Sequence, residues 1–277
     1  MLKKEVQSMG SEMIKRTLKE KIANGEKTVG THLNLNDIAV GRIAGLAGYD
    51  FVWIDMEHSY LSYEYLLNLI IAVHSGGSQV IVRAPQDDLT ATKKILEMGP
   101  DGIIFPLVKT PEEANRLISY TVYPPYGSRG FGPMNAVDFG LKNTKEYIAS
   151  HHETMCRFIQ VEHIETVQNL DEIIKNEYID GYIVGPFDLS GSMGRLGDVF
   201  GDEVTGVIGQ IVTRLKNAGK YVGVSTGDFS EATLQHWHDL GFDMISSGAD
   251  FDFLREGFVQ NRKTLEKIHL SSSAEGE

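Results

Sequence analysis

The chain has 277 residues, a formal net charge of −12, 42% hydrophobic residues and 23% charged residues, the profile of a soluble globular protein. This acidity argues against a nucleic-acid partner, which needs a basic face, but not against a small anion held by one or two local cations. A single cysteine, Cys156, excludes an intrachain disulfide and fits a reducing compartment. No run has the length of a membrane span or a signal-peptide core, so the expectation is a cytoplasmic protein that binds no membrane.

In chain order, a helical N-terminal stretch is followed by eight short apolar or β-branched runs: TVGTHLNL, FVWIDMEH, QVIVRAP, GIIFPLV, RFIQVEH, GYIVGPF, YVGVSTG and MISSGAD. Between them lie stretches of helical spacing, such as YEYLLNLIIAVHSGG and EVTGVIGQIVTRLKNAG, several ending in glycine as a helix stop should. Eight strands alternating with eight helices, after one extra N-terminal helix, predict a (β/α)8 TIM barrel. A doubly wound sheet is the alternative, because periodicity cannot show closure, and near-continuous apolar strands suit both. Barrels of about 250 residues commonly form one domain, so residues 1–270 are expected as a single barrel and the tail SSSAEGE, 271–277, as disordered. The piece TVYPPYGSRGFGP, Thr121 to Pro133, is either a functional loop or a structural crossover carrying Arg129 as a surface charge.

In a barrel, chemistry sits at the C-terminal ends of the strands. The polar residues there are His32 and Asn34, then Asp55, Glu57 and His58, then Arg83, then Gln160, Glu162 and His163, then Asp188, Ser225, Thr226 and Asp250. Gln160 and Glu162 are two apart and share a side of their strand. The next strand brings Asp188 near Glu162, and two close carboxylates repel unless they share a proton or a cation. A divalent cation with oxygen ligands resolves this, leaving about four octahedral positions to water and substrate. The plainer alternative is that either acid caps a helix or pairs with an arginine. Arg83 would be costly in a barrel mouth without an anion, and its fork matches a carboxylate. His58 reads as a base, a ligand or a hydrogen-bonded core residue. Glu97 reads by default as a solvated helix residue, and Asp87 and Asp88 as turn or N-cap residues.

The segments FVWIDMEH, VIVRAP, ILEMGPDGIIFPLV, YPPYGSRG, FIQVEHIETVQNLDEI and DGYIVGPFDLSGSMG together resemble the HpcH/HpaI family of metal-dependent 2-oxo-acid aldolases, from about Lys27 to about Phe258. The resemblance implies that Glu162 and Asp188 are the metal ligands and that Arg83 holds the 2-oxo-acid end of the substrate. It implies an acid–base dyad of His58 with Glu97, the latter from the same or a neighbouring subunit, and Asp55 as a second acid lining the site. Gln160 belongs to the same substrate site, and backbone N–H groups of Gly185, Pro186 and Phe187 would meet the substrate carboxylate. His32 stands where the sugar-acid aldolases tend to have Trp, and Phe187 where Ala or Ser is usual; both are expected to line the distal pocket, His32 as a titratable wall. Glu97 replaces the common Asp, and Met56 the glycine of DGEH.

The implied reaction is cleavage of a 4-hydroxy-2-oxo acid to pyruvate and an aldehyde through a metal-stabilised enolate, with Mg²⁺, Mn²⁺ or Co²⁺ as cofactor. The implied assembly is a homo-oligomer of dimers forming hexamers, with FDFLREGFVQNRKTL as an exchanged C-terminal helix. An acyl-CoA ester lyase of the malyl- or citramalyl-CoA type would share the two carboxylates and the arginine, and a non-catalytic metabolite-binding barrel is a further alternative. A Schiff-base aldolase needs a desolvated lysine on a strand; none of the eight runs carries one within the strand, and Lys109 follows the fourth.

Overall fold

The structure, a computed structural model, describes residues 16–270. Eight parallel strands pair in chain order: β1 (Thr28–Leu33), β2 (Phe51–Asp55), β3 (Gln79–Arg83), β4 (Gly102–Phe105), β5 (Cys156–Val161), β6 (Gly181–Val184), β7 (Tyr221–Thr226) and β8 (Met244–Ala249). β8 also pairs with β1, which closes the barrel and decides against the doubly wound sheet. The helices are α1 (Leu18–Ala23), α2 (Ile38–Leu46), α3 (Tyr63–Gly76), α4 (Leu89–Glu97), α5 (Pro111–Ser119), α6 (Thr144–Thr154), α7 (Ile164–Ile173), α8 (Pro186–Ser192), α9 (Asp202–Asn217), α10 (Glu231–Asp239) and α11 (Asp250–Leu265). Among the described residues the extra helix before the barrel is α1, six residues long; residues 1–15 and the tail 271–277 lie outside the described residues. No helix among those described is long and apolar enough to cross a membrane.

Alternation along the strands divides the apolar residues into two cores. Val52, Ile54, Val80, Val82, Ile159 and Val161 face outward and pack with the helices in the larger cluster. Phe51, Trp53, Ile81, Ile104, Phe158 and Met244 face inward and fill the barrel, with Leu18 of α1 closing its lower end. Because side chains alternate with period two, the next inward positions above this floor are Asp55, Arg83, Gln160 and Glu162. The polar groups therefore form the top layer of a barrel that is apolar below.

α1 is held by a capping box between Thr17 and Glu20, by the Leu18 N–H on the Gln79 side chain, and by Lys19 and Lys21 paired with Asp180 and Asp50 at strand starts. Asp88 caps α4 through the N–H groups of Thr90 and Ala91, as its turn position predicts.

The loop Thr121–Pro133 joins α5 to α6 on the N-terminal side of the barrel, away from the top layer. It contains a cis bond between Pro124 and Pro125. Arg129 is buried, at 2% exposure, which corrects the expectation of a surface charge. Its guanidinium bonds the His151 ring and the Tyr147 hydroxyl, and lies 4.6 Å from the centre of the Tyr123 ring.

α11 lies loosely on its own barrel. Only Asp250 and Asp252 of it are buried, while Phe251, Phe253, Leu254, Phe258, Val259 and Leu265 are exposed. Beside it, Val29, Tyr49, Phe229, Leu234 and Ile245 line an open groove of about 650 Å³ over the outer faces of β1 and β8.

Candidate active site at the barrel mouth

The register places Asp55 directly opposite Arg83, and Gln160 opposite Ile183. Arg83 forks onto Asp55, Nε donating to Oδ1 at 2.9 Å and Nη2 to Oδ2. Its Nη1 donates to Gln160 Oε1 at 3.4 Å and is ion-paired with Glu57, whose Oε2 lies 3.0 Å away. Burial alone would raise the Asp55 carboxyl, but the hydrogen bonds and charge of Arg83 hold it below its ordinary value. Arg83 is thus balanced by two carboxylates of its own chain, and Glu57 stands where sequence reasoning gave it no role. Its position at the end of a strand was the only signal, and the intervening Met56 hides that Asp55 and Glu57 share a target.

Glu162 is 2% exposed. Its Oε1 accepts the Leu107 N–H at 2.6 Å and its Oε2 accepts Gln160 Nε2 at 2.7 Å. Burial pushes its carboxyl up to about 7, with the charges of Asp188 and Glu57 adding to the shift. Leu107 reaches it from a left-handed backbone, φ 54°, unusual for a side chain branched like leucine. Nothing in the composition of FPLVKTPEE signals that conformation. Gly185 faces Glu162 so closely that a Cβ there would lie 2.8 Å from Oε2.

α8 begins at Pro186, and Asp188 falls in its exposed first turn, where the helix dipole favours an acid. The expectation of three N–H donors here is corrected. Gly185 N–H goes to the Val161 carbonyl at 3.3 Å and Pro186 has no N–H, so of the three only Phe187 retains a donor free of the helix ladder. Phe187 itself is 59% exposed, on the rim rather than in a closed pocket.

His58 is exposed, its Nε2 3.7 Å from Glu57 Oε2, and its backbone N–H donates to Asp55 Oδ1 at 3.3 Å. Glu97 does not join it within this chain. It ends α4 at the opposite end of the barrel, against Gly132 of the Thr121–Pro133 loop, because the helix after a strand runs back to the strand starts. His32 faces inward beside Trp53, ring centroids 5.2 Å apart. Its Nδ1–H donates to the Gly248 carbonyl at 2.7 Å, and Nε2 accepts from Ser225 Oγ at 2.9 Å. Burial lowers its pKa to about 4, so the titratable wall is corrected to a fixed, neutral one.

Among the described residues no three His, Cys, Asp or Glu side chains are grouped to hold a metal ion. The two-carboxylate set of Glu162 and Asp188 instead fits a hard cation that keeps waters or substrate in its other positions. Glu162 has spare lone pairs on both oxygens, and the burial that raises its carboxyl, with the added charges of Asp188 and Glu57, is a cost that a cation would relieve.

Comparison with known proteins bears on the family and the fold. The sequence pattern of the HpcH/HpaI aldolase/citrate lyase family matches residues 28–255. The chain is 32% identical over 236 residues to the hydroxypyruvate/pyruvate aldolase of Pseudomonas aeruginosa, covering 85% of this chain and 87% of that one. It is 33% identical over 211 residues to the 2-keto-3-deoxy-L-rhamnonate aldolase of Escherichia coli K12, covering 76% and 79%. The crystal structure of an HpcH/HpaI aldolase/citrate lyase family protein from Burkholderia cenocepacia superposes with a TM-score of 0.84 at 27% identity, over 90% of this chain and 98% of that one. Divalent-metal dependence is general among these enzymes. With a closed barrel, a polar top layer and these matches over most of its length, the chain belongs to the HpcH/HpaI aldolase/citrate lyase family.

Proposed function

We propose that this protein is a class II aldolase that cleaves a 4-hydroxy-2-oxo acid to pyruvate and an aldehyde. The observation that carries the reading is buried Glu162 at the barrel mouth, under the charge of Asp188 and joined to Arg83 through Gln160. Glu162 and Asp188 would hold a divalent cation such as Mg²⁺, Mn²⁺ or Co²⁺, which when bound supplies Lewis-acid charge to the 2-oxo acid.

The remaining chemistry belongs to the chain. Arg83 places positive charge where negative charge develops on the keto oxygen, and Asp55 fixes its plane. Gln160 bridges Arg83 and Glu162 and holds both in register. His58 takes the C4 hydroxyl proton on a ring nitrogen as the C3–C4 bond breaks. The Phe187 N–H faces the substrate carboxylate beside Gly185 and Pro186, while Phe187 and His32 bound the distal half. Glu97 serves such a site only if a neighbouring subunit brings its N-terminal face to the mouth.

The partners are small molecules and further copies of this chain. The exposed apolar side of α11 and the open groove over β1 and β8 support a homo-oligomer in which the last helix is exchanged. A Phe258→Asp variant tests this by sedimentation; a mass equal to wild type would count against exchange. The catalytic reading is tested by a coupled pyruvate assay over a panel of 4-hydroxy-2-oxo acids and one acyl-CoA ester, with the three cations compared. Pyruvate release that is abolished by chelator and restored by cation is expected; release from the thioester alone would favour the CoA lyases.

A further inference from the structure

At the barrel mouth Glu57 is neither in the Glu162–Asp188 pair nor in the Asp55 fork. One of its oxygens lies between two functional nitrogens: Oε2 is 3.0 Å from Arg83 Nη1 and 3.7 Å from His58 Nε2. We propose that Glu57 is a positioning carboxylate with two stations. It sits on Arg83 in the resting protein and moves to His58 when the oxo group of a 2-oxo acid takes its place on Arg83. The inference rests on the aldolase reading above.

The donors of Arg83 determine the first station. Asp55 occupies Nε and Nη2, so the nitrogen facing Gln160 and Glu162 is Nη1. A substrate oxygen lying beside Glu162 meets Arg83 at Nη1, where Glu57 already sits. Nη1 has two N–H groups and Gln160 takes one, so substrate and Glu57 compete for the other, and Glu57 is the ligand that must yield.

The second station follows from what surrounds a displaced carboxylate. Glu57 is largely shielded, and Asp55 and Asp188 both act on it with like charge, so without Arg83 it needs a new positive or donating partner. His58 is the near candidate. Its side chain is 64% exposed and free to turn, and closing 3.7 Å to a hydrogen bond takes a movement of about an ångström. In cleavage His58 keeps its Nε2–H on Glu57 and the C4 O–H bond breaks, its proton passing to the other ring nitrogen, Nδ1, and the pair left on oxygen forms the aldehyde as the C3–C4 pair moves to the oxo acid. Glu57 exchanges no proton. It stabilises the imidazolium that results, from within the same chain, a place that Glu97 of this chain cannot reach.

The test compares wild type, Glu57→Gln and Glu57→Asp, all loaded with Mn²⁺. Pyruvate affinity is read by calorimetry and the cleavage of a 4-hydroxy-2-oxo acid by initial rates. Glu57→Gln removes the charge that competes for Arg83, so pyruvate is expected to bind roughly three- to tenfold more tightly. Its kcat is expected to fall about tenfold or more, because His58 loses its anionic neighbour. Glu57→Asp, which restores the charge, should return pyruvate affinity toward wild type. Opposite movement of affinity and kcat is the signature, since a merely structural loss weakens both. Unchanged or weaker pyruvate binding in Glu57→Gln, or an unchanged kcat, overturns the inference while the wild type still cleaves substrate. A wild type that releases no pyruvate overturns the aldolase reading itself.

Discussion

Glu162 shows what one buried carboxyl does to its surroundings. Its pKa near 7 lies above the ordinary value of 4.5 because burial opposes the charge. In the metal-free protein the fold retains a proton that the unfolded chain gives up, so this group contributes stability at low pH that is lost as pH rises toward and through about 7. A cation must displace that proton, and its affinity should fall about tenfold per pH unit below 7. Glu162→Gln should flatten the thermal-stability slope between pH 5 and 8 and abolish cation retention. Calorimetry and melting curves across that range check both, and a slope equal to wild type would refute the assignment. His58→Ala should lower kcat by about 10²–10⁴-fold with cation affinity unchanged; loss of the cation would make His58 a ligand. Glu162, Asp188 and Arg83 were legible because each ends an apolar run. The pairings of Glu57 were not, because they depend on the side-chain directions of a neighbouring strand.

The strands and the start of α8 show how far local pattern reaches. All eight runs became strands because period-two burial on both faces leaves a recognisable apolar signature. The N-cap Asp88 was legible for a similarly local reason. What pattern could not give is which end of an element meets which site: Glu97 sits at the far end from His58 because helix direction reverses after each strand. Nor could it give the burial of Arg129, which depends on α6 folding over its loop. Gly185 joins both levels, since its bare Cα admits Glu162 and also starts α8. Gly185→Ala would press a methyl against Glu162 Oε2. Cation affinity should fall by at least about tenfold while the far-ultraviolet circular dichroism stays as in wild type. An unchanged affinity would mean that Glu162 has room to move.

Across the whole molecule the two cores divide their duties. Leu18, 1% exposed, closes the lower barrel far from the top layer. Leu18→Ala should cost about 2–5 kcal/mol of stability, read by urea unfolding, and leave cation affinity intact. A matching loss of affinity would mean that the floor and the mouth are mechanically coupled.

That floor also sets an order of events. Four carboxylates and one guanidinium crowd a layer whose underside is Trp53, Ile81 and Phe158. An apolar plug cannot screen charge, so the field of the mouth leaves through its opening into solvent. The cation is drawn in, at a rate that slows as salt is added, and the anionic 2-oxo acid is turned away until the cation has arrived. Stopped-flow measurement should find pyruvate binding only after cation, and a metal-free protein that binds pyruvate equally well would reverse that sequence.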